Sequence, residues 1–142
     1  MLKIAFDVGG VLSKYPALKE LLQWMAALKR YWADTYMAPS VEVYVISDMH
    51  PKEKIAAMLR GNNIFLDENF VFSADYATHG ENCKKILCEQ LGVDIFVDDF
   101  IGYLAEGDFI RLLVMPNPRR SYYHEEWKTD GAEGDFGRRT AK

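Results

Sequence analysis

This sequence has few cysteines, no long apolar run and no surplus of basic charge. Its 142 residues include two cysteines, Cys83 and Cys88, which form no CxxC pair. On one helix their side chains would point about 140° apart, because an α-helix turns roughly 100° per residue. We therefore expect reduced thiols rather than a disulfide.

The missing apolar run and the modest charge restrict location and partners. No apolar stretch reaches the roughly 20 residues that a bilayer-spanning helix needs. The first residues lack the charged and apolar parts of a signal segment. We therefore expect a cytoplasmic protein with no membrane partner. The formal net charge of −4 gives no strong signal for nucleic acid binding, although arginines make the last residues locally basic.

The composition that is present, 49% hydrophobic and 27% charged, is ordinary for a globular protein. A length of 142 residues fits one domain with a proper core. We predict a core domain over residues 1–116 and a C-terminal extension over 117–142 that is partly mobile. The extension is rich in Gly, Arg, Glu and Asp, a composition that does not favour a packed core.

Segments with strand and helix patterns alternate along the chain. Apolar and β-branched runs predict strands over 2–6, 41–46, 70–72, 93–97 and 110–115. Apolar residues at helical spacing predict helices over 16–33, 51–60 and 81–91. Strands separated by helices imply a parallel sheet of about five strands with right-handed crossovers. The predicted fold class is therefore α/β, a three-layer α/β/α Rossmann-like sandwich.

Polar side chains stand at the ends of the predicted strands. Asp7 follows the first strand and precedes Gly9 and Gly10, whose flexible backbone allows the close approach of a ligand. The other strand-end groups, and the lysines that open a nearby helix, are Ser47, Asp98, Asp99, Lys84 and Lys85. The carboxyl ends of parallel strands lie at one edge of the sheet, where ligands bind. We therefore expect these residues to converge at that edge.

This set of groups suits phosphoryl transfer. Asp7 and Asp98 supply the carboxylate oxygens that Mg²⁺ prefers. A metal ion and a lysine offset the negative charge of a phosphate, so that a carboxylate can approach phosphorus as a nucleophile. The Ser47 hydroxyl and the backbone amides of the glycine turn could hold phosphate oxygens. Taken singly, each residue also has an ordinary structural interpretation as a turn residue, a helix cap or part of a solvated helix face.

Four motifs, in this order, resemble those of the haloacid dehalogenase-like (HAD) hydrolase superfamily. They are Phe6–Val11 (FDVGGV), Val45–Ser47 (VIS), Lys84, and Ile95–Asp99 (IFVDD). The match covers roughly residues 1–116, and segment 84–99 also resembles its counterpart in the 5'(3')-deoxyribonucleotidase-like branch. The order and spacing of the motifs together carry the resemblance.

The resemblance implies a role for each strand-end residue. Asp7 is expected to be the nucleophile that forms an aspartyl-phosphate. Lys84 is expected to tie Asp7 to the phosphate, with Lys85 as the rival for that role. The residues expected to bind phosphate are Ser47, Gly9 and Gly10. The expected ligands of the Mg²⁺ cofactor are Asp7, the backbone carbonyl of Gly9, Asp98 and Asp99.

The sequence departs from the family at Gly9, where its phosphatases usually have a second aspartate that acts as general acid and base. A positioned acid or base contributes about 10² to 10⁴ in rate. We therefore expect slow turnover, a substrate with a good leaving group, or a substitute proton carrier. Asp48 and His50 are candidates for that substitute. Asp48 also suits the N-cap of the helix predicted over 51–60.

A second departure concerns the cap domain that many members of the family carry. The intervals 10–41 and 60–84 are too short for a sizeable cap, so we expect a capless core with an open site. In the family, open sites suit large substrates or sites completed by another subunit. The expected partner is a phosphorylated substrate, either a nucleotide or a large molecule, and a homo-oligomer is compatible with this arrangement.

Two other classes of function use similar groups. The main alternative is a catalytically degenerate HAD-like module that binds phosphate or a nucleotide, because Gly9 removes the usual proton carrier. A two-component receiver domain is disfavoured by the order of its acids. Receivers place an acid pair after the first strand and the phosphorylated aspartate later, whereas here the single Asp7 comes first and the pair, Asp98 and Asp99, comes last.

Overall fold

A computed structural model describes residues 1–31 and 41–115, with only the backbone described for 28–31. The predicted extension over 117–142 and the end of the helix predicted over 16–33 lie outside the described residues. Within the described part, no helix has the length and apolar character needed to cross a membrane.

The described chain forms one sheet of five strands with interleaved helices. The strands are β1 (Leu2–Phe6), β2 (Val41–Ser47), β3 (Val71–Ser73), β4 (Ile95–Asp98) and β5 (Ile110–Leu113). The helices are α1 (Pro16–Tyr31), α2 (Lys52–Gly61), the single turn α3 (Tyr76–His79) and α4 (Cys83–Leu91). The strand order is β3-β2-β1-β4-β5, and every pairing is parallel. The predicted α/β fold class is confirmed, and no cap domain is evident in the described ranges.

The central strands of the sheet are covered on both faces, with successive side chains of a strand pointing to opposite sides. The edge strand β5 has exposed side chains along its whole length. In β1, Ile4 and Phe6 pack on one face and Ala5 packs on the other. The first face, here called the aliphatic face, contacts α1 and α2. Its buried members are Ile4, Phe6, Val8, Val11, Leu12, Leu22, Met25, Val43, Val45, Met49, Ile55, Met58, Leu59, Ile64, Val71 and Val97.

The opposite face, here called the aromatic face, contacts α4. Its buried members are Ala5, Tyr44, Ile46, Ala74, Cys83, Cys88, Val93, Phe96, Tyr103 and Leu104. Partly buried aromatic rings pack against them, namely Phe70, Phe72, Tyr76, Phe100 and Phe109. The two faces and their helices make the three layers that the alternation of strands and helices predicts.

The register of the central strands sets the position of the strand-end acids. Phe6 of β1 lies opposite Val45 of β2 on one side and Val97 of β4 on the other. Phe6 and Val97 both point to the aliphatic face. The next residue in each strand direction, Asp7 and Asp98, is therefore directed to the aromatic face by the same two-residue period.

Candidate functional site

Three carboxylates meet where β1 and β4 end. The backbone N–H of Asp7 donates to the carbonyl of Val97 at 3.0 Å, which extends the pairing of the two strands by one residue. One carboxylate oxygen from each of Asp7, Asp98 and Asp99 lies within 4.8 Å of the others. Such oxygens are close enough to share one cation. These three residues are called the acidic triad below.

Lys84 joins two members of the triad. Its ammonium Nζ donates to Oδ1 of Asp7 at 2.8 Å and to Oδ2 of Asp98 at 3.1 Å. All three side chains are fully buried. Lys85, by contrast, is partly exposed, and its Nζ lies 3.8 Å from Glu89 one helical turn further on. Of the two lysines that open α4, the structure therefore brings Lys84 to the acidic triad.

The surroundings of Lys84 make a buried ammonium tolerable. Removing an ion from water costs several kcal/mol, so a buried charge needs close partners. Two carboxylates supply that partnership, and the ring of Tyr103 lies 4.1 Å below Nζ, measured to its centroid. A desolvated cation–π contact of this kind contributes about 2 kcal/mol. Three carboxylates against this one ammonium leave the four groups with surplus negative charge.

The surplus charge and the donor set together fit a divalent cation. Carboxylate oxygens are the ligands that Mg²⁺ and Ca²⁺ prefer, whereas softer metals favour nitrogen and sulfur. The triad offers three such groups within 4.8 Å of one another. Asp7 and Asp98 are fully buried and Asp99 is half-buried. A buried Asp7, Asp98 and Asp99 group could therefore hold a metal ion.

The turn after β1 lies against the third carboxylate. Residues Val8–Leu12 form one wide turn, closed by the backbone N–H of Ser13 donating to the carbonyl of Val8 at 3.0 Å. Gly10 has φ = 72°, a left-handed conformation that favours glycine. A Cβ at Gly10 would stand 1.9 Å from Oδ2 of Asp99. Glycine is thus required both by the backbone and by the space that Asp99 occupies.

The amide of Gly10 has a partner inside the chain. Its backbone N–H donates to Oγ of Ser13 at 3.1 Å. The expectation that this amide holds a phosphate oxygen would require Ser13 to be displaced. Gly9 is buried with extended backbone, φ = −65° and ψ = 128°. Its expected part, a carbonyl ligand to the metal, stays a prediction.

Ser47 stands at the same edge, on the strand next to β1. It is the last residue of β2 and is fully buried. Its hydroxyl accepts a hydrogen bond from the backbone N–H of Met49 at 3.2 Å, and its carbonyl accepts one from Ala74 at 2.7 Å. These bonds fix the turn that follows β2. The phosphate-binding role of Ser47 stays a prediction.

Asp48 does not cap α2, contrary to the alternative raised from the sequence. The N-cap of α2 is Pro51, which makes no side-chain capping bond. Asp48 is instead fully buried and accepts a hydrogen bond from the Tyr103 hydroxyl, with Oδ2 at 2.7 Å from that oxygen. Burial is the largest cause of a raised pKa at Tyr103, and this hydrogen bond is the second. The phenol therefore keeps its proton.

His50, the second candidate for a proton carrier, is exposed. Its Nδ1 lies 2.8 Å from Oγ of Ser73, and that hydroxyl donates to the carbonyl of Met49. His50 differs from Asp48 in being accessible to a ligand.

Tyr103 is the site residue that the sequence analysis missed. It lies in the short turn Ile101–Tyr103 after β4, is 1% exposed, and contacts both Lys84 and Asp48. No motif marks it, because a tyrosine in a loop has no periodic pattern. The one signal in the sequence is that Tyr103 follows Asp99, an expected metal ligand, by only four residues.

No protein-family model, no curated protein and no solved structure matches this chain. Its own geometry shows a parallel five-stranded α/β sheet with an acidic triad at the ends of two strands.

Proposed function

We propose that this protein is a Mg²⁺-dependent phosphatase with a HAD-like hydrolase core, acting through an aspartyl-phosphate on Asp7. One observation carries the proposal. Lys84 donates to Asp7 at 2.8 Å and to Asp98 at 3.1 Å, in a group of three carboxylates whose oxygens lie within 4.8 Å. In this proposal the nucleophile Asp7, the Lys84 ammonium and three candidate metal ligands lie together at one edge of the sheet.

The residues would divide the work as their chemistry suggests. The metal would be held by Asp7, Asp98 and Asp99, with the carbonyl of Gly9. Mg²⁺ at this position would offset the negative charge of the phosphate oxygens. Lys84 would hold Asp7 and a phosphate oxygen in a common position. The Ser47 hydroxyl at the end of β2 would bind a second phosphate oxygen.

The reaction would proceed in two displacements at phosphorus. A carboxylate oxygen of Asp7 attacks, the bond to the ester oxygen breaks, and that oxygen leaves with the electron pair. Water then attacks the aspartyl-phosphate, releasing inorganic phosphate and restoring the Asp7 carboxylate. Gly9 offers no side chain to protonate the leaving group, so the proton would come from a substitute carrier, for which Asp48 and His50 are the candidates, or from solvent.

Because the usual general acid is missing, we expect the rate to depend strongly on how basic the leaving group is. A positioned general acid contributes about 10² to 10⁴ in rate, and it matters most for a basic leaving group such as an alkoxide. Aryl phosphates leave as weakly basic phenolates and need little protonation. We expect measurable turnover of an aryl phosphate and much slower turnover of an alkyl phosphate.

The test is hydrolysis of a chromogenic aryl phosphate with and without Mg²⁺. Asp7→Asn should reduce the rate by at least 10³-fold, whereas Asp108→Asn, a change at an exposed aspartate away from the triad, should not. Both variants should be compared at equal folded fraction, measured by thermal unfolding. Equal rates for Asp7→Asn and the unaltered chain would reject the proposal.

Gly9 also favours a second candidate, a degenerate HAD-like module that binds phosphate or a nucleotide without turnover. Calorimetry with inorganic phosphate in the presence of Mg²⁺ separates the two functions. Binding without hydrolysis of any aryl phosphate would support the module. Because the described residues form no cap, the partner we propose is a phosphorylated nucleotide or a phosphate group on a large molecule.

A further inference from the structure

Outside the acidic triad, Asp48 and Tyr103 form a buried pair, and the ring of Tyr103 contacts Lys84. The Tyr103 hydroxyl donates to Asp48 at 2.7 Å, and the Tyr103 ring lies 4.1 Å from the Lys84 ammonium. Asp48 and Lys84 are fully buried and Tyr103 is 1% exposed. We propose that Asp48 and Tyr103 are positioning residues for Lys84, holding its ammonium where it can bridge Asp7 and a phosphate. This inference rests on the proposed function and deepens it.

A lysine needs such support because its ammonium is a point charge on a flexible four-carbon stem. The carboxylates of Asp7 and Asp98 attract it. The Tyr103 ring adds a contact at 4.1 Å to its centroid and presents the negative face of its π system to the charge. An incoming phosphate competes with Asp98 for the ammonium. Because the Tyr103 ring restricts the movement of Nζ, the ammonium stays near Asp7 when the phosphate binds.

The ring is itself held in one orientation. Phe100 packs edge-on against Tyr103 at a centroid distance of 5.1 Å and an interplanar angle of 83°. Tyr76 makes a second edge contact at 6.2 Å and 87°. These contacts restrict the tilt of the ring, and the hydrogen bond to Asp48 fixes its far end. Asp48 thereby acts on Lys84 through the ring of Tyr103.

The pair also connects three separate segments that carry site groups. Asp48 directly follows Ser47 at the end of β2. Tyr103 lies in the turn after β4, four residues beyond Asp99, and Lys84 is in the first turn of α4. One hydrogen bond and one ring contact therefore tie the ends of β2 and β4 to the helix that bears the lysine.

The experiment compares Tyr103→Phe, which keeps the ring and loses the hydroxyl, with Tyr44→Phe. Tyr44 is a matched control, because it is also buried in the aromatic face and donates to a carboxylate, that of Glu42, at 2.6 Å. For each variant we would measure kcat and KM for an aryl phosphate, the dissociation constant of inorganic phosphate with Mg²⁺ present, and the melting temperature.

Tyr103→Phe should lower kcat about 10-fold and weaken inorganic phosphate binding about 3-fold, whereas Tyr44→Phe should change neither. Both should lower the melting temperature, Tyr103→Phe more than Tyr44→Phe, since Tyr103 loses a buried hydrogen bond and Tyr44 a part-buried one. Asp48→Ala should match Tyr103→Phe. Asp48→Asn should retain most of kcat, because the amide oxygen still accepts from the phenol. The effects of Asp48→Ala and Tyr103→Phe should not add, because both remove the same bond.

The outcomes separate the two proposals. If Asp7→Asn abolishes turnover but Tyr103→Phe behaves like Tyr44→Phe in kcat and in phosphate binding, the positioning role is overturned and the phosphatase proposal stands. If the chain has no turnover, phosphate binding alone decides the positioning role. If it neither turns over nor binds phosphate, both proposals fall. If Tyr103→Phe does not fold, the comparison of Asp48→Ala with Asp48→Asn takes its place.

Discussion

The two faces of the sheet are built from different side chains. The aliphatic face packs Leu, Ile and Met from α1 and α2 against Ile and Val of the sheet, and among the described residues Phe6 is its one buried aromatic ring. The aromatic face packs Tyr44, Phe96 and Tyr103 with α4. The charged residues Asp48 and Lys84 are fully buried and are joined through Tyr103 of the aromatic face.

The difference shows how a small domain can bury charge beside a hydrophobic core. Aliphatic side chains offer shape and apolar area but no partner for an ion. Aromatic rings offer the same area, together with a negative ring face for an ammonium and, in tyrosine, a hydroxyl for a carboxylate. We therefore expect the aliphatic face to govern stability alone, and the aromatic face to govern stability and the site together.

The largest effect is expected for Lys84→Met. This change leaves Asp7 and Asp98 buried beside each other without their shared ammonium. Breaking a buried ion pair from one side costs about 3–5 kcal/mol. Unfolding by denaturant should show this loss, and the proposed phosphatase turnover should disappear. Lys85→Met is the control, since Lys85 is partly exposed, and it should change stability by less than about 0.5 kcal/mol.

A cavity in the aliphatic face should act on stability only. Leu22 is fully buried, and Leu22→Ala should cost about 3 kcal/mol. The neighbouring Leu21 is 42% exposed, so Leu21→Ala should cost far less. Turnover per folded molecule should remain unchanged in both variants. A drop in kcat for folded Leu22→Ala would remove the functional distinction between the two faces.

Alanine substitutions at two glycines with left-handed backbone distinguish the stability cost of backbone strain from the effect of contact with the acidic triad. Gly92 ends α4 with φ = 69°, and a Cβ there would meet only the end of Lys3 at 3.8 Å. Gly92→Ala should cost about 1 kcal/mol from strain alone. Gly10→Ala adds a collision with Asp99 at 1.9 Å, so it should cost at least about 1 kcal/mol more.

Calorimetry with Mg²⁺ completes the comparison of the two glycines. Gly10→Ala must move the Asp99 carboxylate, so Mg²⁺ should bind more weakly. Gly92→Ala should bind Mg²⁺ like the unaltered chain. Equal Mg²⁺ affinities for the two variants would show that Asp99 is not a ligand.

At neutral pH we expect the smallest effect on stability from the buried thiols and phenols of the aromatic face. Desolvation by burial raises the pKa of Cys83 to about 11, that of Cys88 to about 12 and that of Tyr44 to about 12. The ordinary values are 9.0 for cysteine and 10.0 for tyrosine. Between the ordinary and the raised pKa, the unfolded chain has lost a proton that the folded chain keeps, so the unfolded state is favoured.

Stability should therefore be unaffected by these groups below about pH 8 and should fall from about pH 9 to pH 12. Melting temperatures measured across that range test the expectation. Cys88→Ala should flatten the decline, because it removes one of the groups that titrate. A decline of equal slope with and without Cys88 would show that burial of this thiol does not contribute.

Local patterns were sufficient to predict the order of elements and the fold class. Period-two burial in strands and 3.6-residue spacing in helices are properties of neighbouring residues, so they can be read without the fold. The placement of Asp7, Asp98 and Asp99 at one sheet edge followed from parallel strand order. The helix over 81–91 was predicted two residues too early, because the preceding turn Gly80–Asn82 belongs to a separate 3₁₀ segment.

The choice between Lys84 and Lys85 shows where such patterns stop. Adjacent residues on a helix point about 100° apart, so a small rotation of α4 decides which lysine faces the sheet. That rotation is set by the packing of Cys83 and Cys88 on the aromatic face. For this reason the sequence alone does not decide between Lys84 and Lys85.

The amino-acid order alone thus specified a parallel α/β domain with acids at its strand ends, because short-range periodicity and strand direction suffice for that. The contacts of Lys84, the pairing of Asp48 with Tyr103 and the close approach of Asp99 to Gly10 came from the folded chain. Each joins residues far apart in sequence, and its geometry depends on how helices and loops pack against the sheet. No local pattern encodes that packing.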